Sequence, residues 1–482
     1  MIETVMKLTL QYRAYLDTNQ KLEANYWLRV CRYWYNRQLG DRFDWWDNNR
    51  TYVNACPLVC ALPSLREKPT RYGQQSQLPN LKTDLIKVVH SGELLDFTRL
   101  DSTVLQDVCK RVDDAFKRYV SGDCDRKRSG KPRFKNQASY RTMAFAMVKP
   151  KWIHLVRKNW LYIRLPKLGM IKVRMHRPIP DGAVLKRVSL TKKIDGWYIN
   201  LIVEDSTVPE FTPDQIIPTW ENSMGLDAVL RGDDYIATSQ NTKYKSAKPL
   251  RKSLPKLKTV SAKKSSKRKG SKSRRKLAKR ESRIHQRIAR QRKDHRYNLA
   301  HQLIRTEKKV FFPENLNIKG LTKRNKPKQA ADGTYLPNGQ SAKSGINKSW
   351  LDAAFGEFLT TLDYIASKAG AVVIKQKPAY SSMILSYRNE VIFTDCSIRE
   401  YYDSVERVLV DRDVNAAINL KRLGLGVFPS IKRRSGKLVI SGDMDDSTTK
   451  QIVSILRDGT DTFASSFLAY GHAKGQKRRS PR

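Results

Sequence analysis

Three short segments decide the fold, and each contains one acidic residue beside a regular element: residues 225–227 (GLD), 312–316 (FPENL) and 411–417 (DRDVNAA). Asp227 follows an apolar stretch that predicts a strand, and Glu314 follows a β-prone run of valine and phenylalanine. Asp413 opens a stretch of small residues that indicates a helix. The sequence therefore predicts acids at two strand ends and at one helix start, in the order Asp, Glu, Asp.

This order of acids predicts a divalent-metal site on an RNase H-like sheet. Mg²⁺ is a hard cation that takes oxygen ligands and keeps several of its waters. Two such ions stabilise both the attacking and the leaving oxygen of a phosphodiester. Most single acids are solvated surface groups, but the three local contexts together favour a shared site. We therefore expect Asp227, Glu314 and Asp413 to be the catalytic residues and the ligands of two Mg²⁺ ions.

Five motifs carry a resemblance to a known family: residues 6–13 (MKLTLQYR), 129–135 (SGKPRFK), 175–178 (MHRP), 314–321 (ENLNIKGL) and 413–417 (DVNAA). On these motifs the chain resembles the TnpB family of transposon-encoded, RNA-guided nucleases, which are relatives of the compact type V CRISPR effectors. The likeness runs from about residue 7 to about residue 425. The last two motifs are close to the second and third RuvC motifs of that family.

The resemblance implies an α+β multidomain protein: a wedge-like β-barrel with an inserted helical recognition lobe, followed by an RNase H-like RuvC α/β domain. A chain of 482 residues is longer than one core usually supports, which agrees with several domains. The expected bounds are 1–14 plus 136–215 for the β-barrel wedge domain, 15–135 for the helical recognition domain, 216–379 plus 410–425 for the RuvC nuclease domain, 380–409 for a degenerate zinc-ribbon-like target-binding insertion, and 426–482 for a C-terminal tail.

The insertion at 380–409 departs from the family pattern, which usually places two CxxC pairs here. Ile384 and Tyr387 stand where the first pair belongs, and Asp403 and Glu406 stand where the second belongs. A structural zinc site needs four nitrogen or sulfur ligands, and this segment has a single cysteine, Cys396, and no histidine. We therefore expect no structural zinc and a small apolar core in its place.

The net charge of +47, from 93 Lys and Arg against 46 Asp and Glu, indicates a polyanionic partner. Nucleic acid is the obvious polyanion, and a charge of this size suggests an extended RNA as well as DNA. The resemblance implies a guide RNA and a target DNA. The chain is too long and too rich in aromatic residues to be a small basic protein of the ribosomal type.

The densest basic run lies at 251–296 and contains 21 Lys or Arg against two acids. Its part at 261–273 is rich in Ser, Lys and Gly and predicts a flexible loop, whereas a helical apolar stripe follows from Arg274. A charge run is usually a solvated face, but a run anchored beside a phosphodiester site favours nucleic-acid binding. The candidate nucleic-acid-binding residues are Arg274, Arg275, Lys276 and Arg280, together with Arg133 and Lys135 of the motif at 129–135.

Several features bear on the compartment. No stretch reaches the roughly 18 apolar residues of a membrane span, and the segment 1–6 lacks the apolar core of a secretory signal. The six cysteines form no CxxC pair, and disulfides are not expected; Cys31 lies on a helical apolar stripe and predicts a core residue. We expect no membrane partner and a cytoplasmic location, in the prokaryotic cytosol or nucleoid. The oligomeric state stays open.

The favoured function is an RNA-guided, Mg²⁺-dependent DNA endonuclease that cuts DNA next to a short recognised motif through a single RuvC site. One alternative is a nuclease-inactive, RNA-guided DNA-binding protein, which the lost zinc ribbon and the departure at Val229 favour, although no acid of the triad is lost. A second alternative is a DNA strand-transfer transposase. The acid order, with the last acid opening a helix, argues for the RuvC type instead.

Overall fold

The computed structural model describes residues 6–55, 67–89, 91–123, 126–155, 159–205, 216–395, 397–434, 437–442 and 444–458. The chain divides into two compact units, residues 1–210 and 211–482, and each is described by itself. No helix among the described residues is apolar over a length that would cross a bilayer.

Unit 1 is built on an antiparallel sheet with the strand order β4-β8-β9-β1-β7-β6-β5. The strand β1 lies at its centre and pairs with β9 from Met6↔Asp205 to Ala14↔Trp197. Strict alternation of side-chain burial along β9 fits a sheet with one face covered. The strands of this sheet are β1 (Met6–Tyr15), β4 (Thr142–Phe145), β5 (Ile153–Leu155), β6 (Trp160–Leu165), β7 (Gly169–Arg174), β8 (Val184–Lys193) and β9 (Gly196–Asp205).

The helices of unit 1 lie in sequence between β1 and β4. Their long members pack on each other and share one apolar core with the sheet. Trp27 and Trp34 are fully buried in that core, so these two indoles serve packing. The elements of this segment are α1 (Thr18–Ala55), α2 (Arg71–Gln75), α3 (Ser102–Val120), the small hairpin of β2 (Ile86–Lys87) and β3 (Leu94–Leu95), and 3-10 turns at Asn80–Lys82 and Phe97–Arg99.

The expected β-barrel is wrong in one respect, because the sheet of unit 1 is not closed within the described residues. Closure requires the two edge strands to pair, and here β4 and β5 stay at opposite edges. Both edge strands are short, with four and three residues, and offer few groups for a closing ladder. The wedge-like domain is therefore an open, seven-stranded sheet in this structure.

Unit 2 has a mixed five-stranded sheet at its centre, with the order β12-β11-β10-β13-β16. The strand β10 runs parallel to β13 and antiparallel to β11, and β13 runs parallel to β16. The mixed α and β content agrees with the predicted fold class. The strands of this sheet are β10 (Ser223–Ala228), β11 (Asp234–Thr238), β12 (Lys243–Lys245), β13 (Val310–Pro313) and β16 (Val372–Val373).

Helices cover both faces of this sheet. On one face, α5 and α8 bury an apolar core that includes Met224 and Phe311, and on the other face α9 packs with Val414 and Ile418 inward. The helices of unit 2 are α4 (Pro249–Ser265), α5 (Lys272–Ile304), α6 (Ile318–Leu321), α7 (Gln340–Ala353), α8 (Phe355–Lys368) and α9 (Arg412–Gly424); its hairpins are β14 (Lys328–Gln329) with β15 (Tyr335–Leu336), β17 (Glu400–Asp403) with β18 (Val408–Asp411), and β19 (Ser430–Arg434) with β20 (Lys437–Ser441).

Two segments are more ordered than their composition suggests. The predicted loop at 261–273 is wrong over its first part, because α4 continues to Ser265 and is held to α5 by buried Leu257, Val260, Ile284 and Ile288. Regular structure also extends into the segment expected to be a C-terminal tail, residues 426–482. Residues 430–441 form a hairpin, and residues 446–458 form a helix whose Ile452, Val453 and Leu456 are buried against α9 and the insertion.

Candidate active site

Asp227 and Glu314 stand at the same edge of the sheet in unit 2. The parallel pairing of β10 with β13 sets Leu226 beside Pro313, and each acid follows at or beyond the end of this ladder. The backbone amide of Glu314 donates to the carbonyl of Leu226 at 3.3 Å. Carboxyl ends of adjacent parallel strands form a crevice where α/β proteins commonly bind ligands. The sheet therefore brings together two of the three acids that the sequence singles out.

Asp413 reaches the same region from the first turn of α9, which packs directly on β10. The two elements approach so closely that a Cβ on Gly225 would lie 1.8 Å from the carbonyl oxygen of Ala417. Only glycine fits at this position, which explains why a glycine precedes the acid by two residues. Small side chains on α9 likewise allow the helix to approach the strand closely.

The electrostatics of the acid cluster are dominated by burial and by repulsion between the acids. Burial raises the pKa of Asp227 well above its ordinary range, and the nearby charges of Glu314 and Asp413 raise it further. Burial raises the pKa of Glu314 to about 7. A bound cation would reverse both effects by favouring the ionised carboxylates. The donor set contains only oxygen, so its chemistry fits Mg²⁺.

Asp413 is engaged by cations of the chain itself. Arg399 lies just before β17 in the insertion, and its Nη2 lies 2.8 and 2.9 Å from the two carboxylate oxygens of Asp413. Lys243 contacts Asp413 at 3.5 Å and Asp411 at 2.6 Å, while Asp411 caps the start of α9. Within the part of the chain that the structure describes, no group of three Asp, Glu, His or Cys residues is arranged to hold a metal ion. Asp413 therefore has to leave Arg399 before it can act as a third ligand.

Two buried asparagines of α9 are important residues that sequence reasoning missed. Asn415 donates to the carbonyl of Ile384 at 2.7 Å and accepts from the amide of Ser386 at 2.8 Å. Asn419, one turn later, donates to the carbonyls of Ser381 and Ile384. The pair at i and i+4 fixes the insertion to the helix that carries Asp413. The spacing of two asparagines in a small-residue helix was the available signal.

The insertion is held by polar contacts at positions where the family usually has cysteines. Tyr387 donates to Asp403 at 2.7 Å, and Arg388 forms an ion pair with the same carboxylate. Two backbone amides also donate to Asp403, and these contacts lower its pKa despite the opposing effect of burial. Ile384, Leu385 and Phe393 are fully buried. Cys396 lies outside the described residues, and the absence of structural zinc stays a prediction.

The predicted nucleic-acid-binding residues fall into different environments. Arg274 donates to the carbonyls of Lys264 and Lys267, both at 3.0 Å, and Arg275 donates to Gly270, so both side chains fasten the turn between α4 and α5. Lys276 and Arg280 are exposed on α5.

The two candidates of unit 1 also differ from each other. Arg133 is exposed. Lys135 exchanges two backbone hydrogen bonds with the side chain of Asn36, at 2.8 and 2.9 Å. Side chains in solvent that can reach a phosphate thus belong to Arg133, Lys276 and Arg280. The backbone of Lys135 is tied to α1.

Comparisons with known proteins agree with this architecture. The family described as "Probable transposase" matches residues 216–325, the "Cas12f1-like, TNB domain" matches 355–420, and a "Helix-turn-helix domain" matches 6–51. In the structure this last segment is a strand followed by one helix, α1. "Putative RNA-guided DNA endonuclease InsQ" of Escherichia coli (strain K12) is 25% identical over 399 residues, which are 82% of this chain and 91% of that protein.

A solved structure shares the fold over most of the chain. It is described as "Cryo-EM structure of the Cas12f1-sgRNA-target DNA complex", and it covers 86% of this chain and 99% of its own at a TM-score of 0.50 and 10% identity. At this identity the likeness shows a shared fold. The family matches and the relative from E. coli confirm the resemblance to the TnpB family.

Proposed function

We propose that this chain is an RNA-guided, Mg²⁺-dependent DNA endonuclease that cuts DNA next to a short recognised motif through one RuvC-type site. The observation that carries the proposal is the position of Asp227 and Glu314 at the ends of neighbouring parallel strands. Asp413 stands on the helix that packs against the first of these strands. The relative from E. coli supports the proposal through its printed name.

The three acids would hold two Mg²⁺ ions, which when bound supply positive charge to the attacking and leaving oxygens of the phosphodiester. Asp227 and Glu314 have raised pKa values, so they release protons as they become ligands. Asp413 would have to release Arg399 before it could serve as a third ligand. The contacts of Asn415 and Asn419 to residues 381–386 would keep the insertion on α9 while Asp413 releases Arg399.

The proposed partners are a guide RNA and a target DNA. The exposed cations of α5 would hold the phosphate backbone of one of these strands, and guide–target pairing would supply the sequence specificity. The buried apolar contacts between α4 and α5 make this basic hairpin a stiff element rather than a loose tether. Such a protein would act in the prokaryotic cytosol or nucleoid.

A nuclease-inactive, RNA-guided DNA-binding protein is the second candidate. The observation that favours it is the ion pair of Arg399 with Asp413, which occupies the third acid of the site. A DNA strand-transfer transposase is a third candidate, supported by the name of the family that matches 216–325. A DNA-joining assay separates strand transfer from hydrolysis.

The test is a programmed cleavage experiment. The protein is purified with its copurifying RNA, the RNA is sequenced, and its guide portion is replaced by one that matches a plasmid library with randomised flanks. We expect Mg²⁺-dependent cuts only in plasmids that carry the matching sequence beside a common short motif. Binding without cuts would favour the second candidate, and joined products would favour the third.

A further inference from the structure

A cleft at the edge of the sheet opposite the acids contains two lysines that are close in space. Trp220 and Glu221 precede β10, Lys308 precedes β13, and Lys421 lies on the last turns of α9. The cleft has a volume of about 460 Å³ and is also lined by Gln240, Asn241, Ile455 and Asp458. The strand β10 has six residues and spans about 20 Å at ~3.3 Å per residue. The cleft is therefore separate from the candidate active site.

Lys421 is the unusual member of this cleft. It is only 4% exposed, yet it takes part in no ion pair or hydrogen bond of its side chain with the residues that the structure describes. Its Nζ lies 3.9 Å from the centre of the Trp220 ring. Lysine is rarely buried without a partner, because desolvating an ammonium group is costly. Burial, followed by the charge of Lys308, lowers the pKa of Lys421 to about 7.

Arg422, the neighbouring buried cation on α9, has a structural role and serves as a comparison. Arg422 donates to Asn419 at 3.1 Å, to Asn389 at 2.7 Å and to the carbonyl of Val427 at 3.3 Å. Its guanidinium is used for packing and hydrogen bonding inside the protein. Lys421 instead places its ammonium over the Trp220 ring beside the cleft, and its side chain forms no hydrogen bond with the described residues.

We propose that Lys421 and Lys308 form a phosphate-binding site for a single strand of nucleic acid at the edge of the sheet opposite the acids. Two neighbouring ammonium groups in one cleft match a phosphate, and Lys308 keeps free donors after its one hydrogen bond to the carbonyl of Glu221. The carboxylates of Glu221 and Asp458 also line the cleft, oppose an anion and would limit its affinity. The choice of nucleic acid rests on the proposed function, whereas the anion site itself rests on the cleft alone.

The test is competitive acetylation of the full chain near neutral pH with mass-spectrometric mapping of each lysine. The labelling of Lys421 is followed with and without added anion, and the exposed Lys450 serves as the control within the same sample. Pyrophosphate, a short oligothymidylate and a short oligouridylate are added in separate arms. We expect pyrophosphate and at least one oligonucleotide to slow the labelling of Lys421, and the oligonucleotide that protects at the lower concentration identifies DNA or RNA as the source of the phosphate.

Three variants sharpen this test. Lys308→Met should raise the pyrophosphate concentration needed for protection by about tenfold, the loss of one charge-assisted hydrogen bond, and Glu221→Gln should lower it. Lys421→Met should leave the thermal stability unchanged or raise it, because a buried amine is replaced by an apolar chain.

Absence of labelling at Lys421, or labelling that no anion slows, overturns the proposal. A marked loss of stability in Lys421→Met also overturns it, since the side chain would then serve packing. These outcomes do not depend on DNA cleavage, so failure here is distinguishable from failure of the proposed function.

Discussion

Replacing Arg399 with glutamine should tighten the binding of divalent metal to the protein in the absence of nucleic acid. The guanidinium lies 2.8 and 2.9 Å from the carboxylate oxygens of Asp413, in a pair that is partly shielded from solvent. A hydrogen bond to a charged group contributes ~1.5–3 kcal/mol, and partial exposure reduces this to about 1–2 kcal/mol. Metal that no longer competes with Arg399 should therefore bind roughly 5- to 30-fold more tightly.

The assay is calorimetric titration of the full chain with Mg²⁺ or Mn²⁺. Lys243→Gln should give a smaller gain, because its ammonium lies farther from Asp413, at 3.5 Å. Arg388→Gln is the matched control, since Arg388 pairs with Asp403 and not with the acid cluster. The gain should vanish when Asp227→Ala is added. Unchanged or weaker metal binding by a folded Arg399→Gln protein would refute the idea that Arg399 competes with the ion.

Three further outcomes are expected. Burial raises the pKa of Glu314 from 4.5 to about 7, so between these pH values the folded metal-free protein holds a proton that the unfolded chain has lost. The free energy of unfolding should therefore fall as pH rises through this window. Chemical denaturation at several pH values measures this fall, and Glu314→Gln should flatten it. Asn419→Ala removes three buried hydrogen bonds and should lower the free energy of unfolding by about 3 kcal/mol, whereas the exposed Asn298→Ala should change it by no more than about 0.5 kcal/mol in urea unfolding. Reversing the charges of Lys276 and Arg280 should weaken nucleic-acid binding. It should also reduce the slope of log K against log salt concentration by roughly 0.9 for each phosphate that these side chains neutralise in the parent protein. An unchanged slope in a filter-binding series would mean that this face is only solvated.

The elements that carry the acids could be predicted because local sequence specifies them. The β-prone residues before Glu314 form β13, and the small residues after Asp413 form α9, as the patterns indicated. Gly225 signals the close approach of helix and strand, since no larger residue fits against Ala417. Such features follow from periodicity and side-chain size, which a sequence displays directly.

The partners of those acids could not be predicted, because they come from distant parts of the chain. Arg399 meets Asp413 only after the insertion has folded against α9, and Asn415 meets Ser386 for the same reason. The open sheet of unit 1 was also missed. The pattern of a strand shows which residues point to the buried face, but it does not show whether the two edge strands pair to close a barrel. The helix at 446–458 escaped because the family resemblance ends before it, although its apolar residues recur with helical spacing.

The most direct test of the central claim is cleavage of guide-matched DNA by complexes that carry Asp227→Ala or Glu314→Ala. These acids stand at the ends of adjacent parallel strands, whereas the exposed cations proposed to hold the nucleic acid lie on α5, so guided binding should persist while Mg²⁺-dependent cleavage is lost. Binding is measured by gel shift on the same DNA, in the same buffer. Cleavage at the parent rate by either variant would contradict the account, because the pair of acids would then not be the site of phosphodiester hydrolysis.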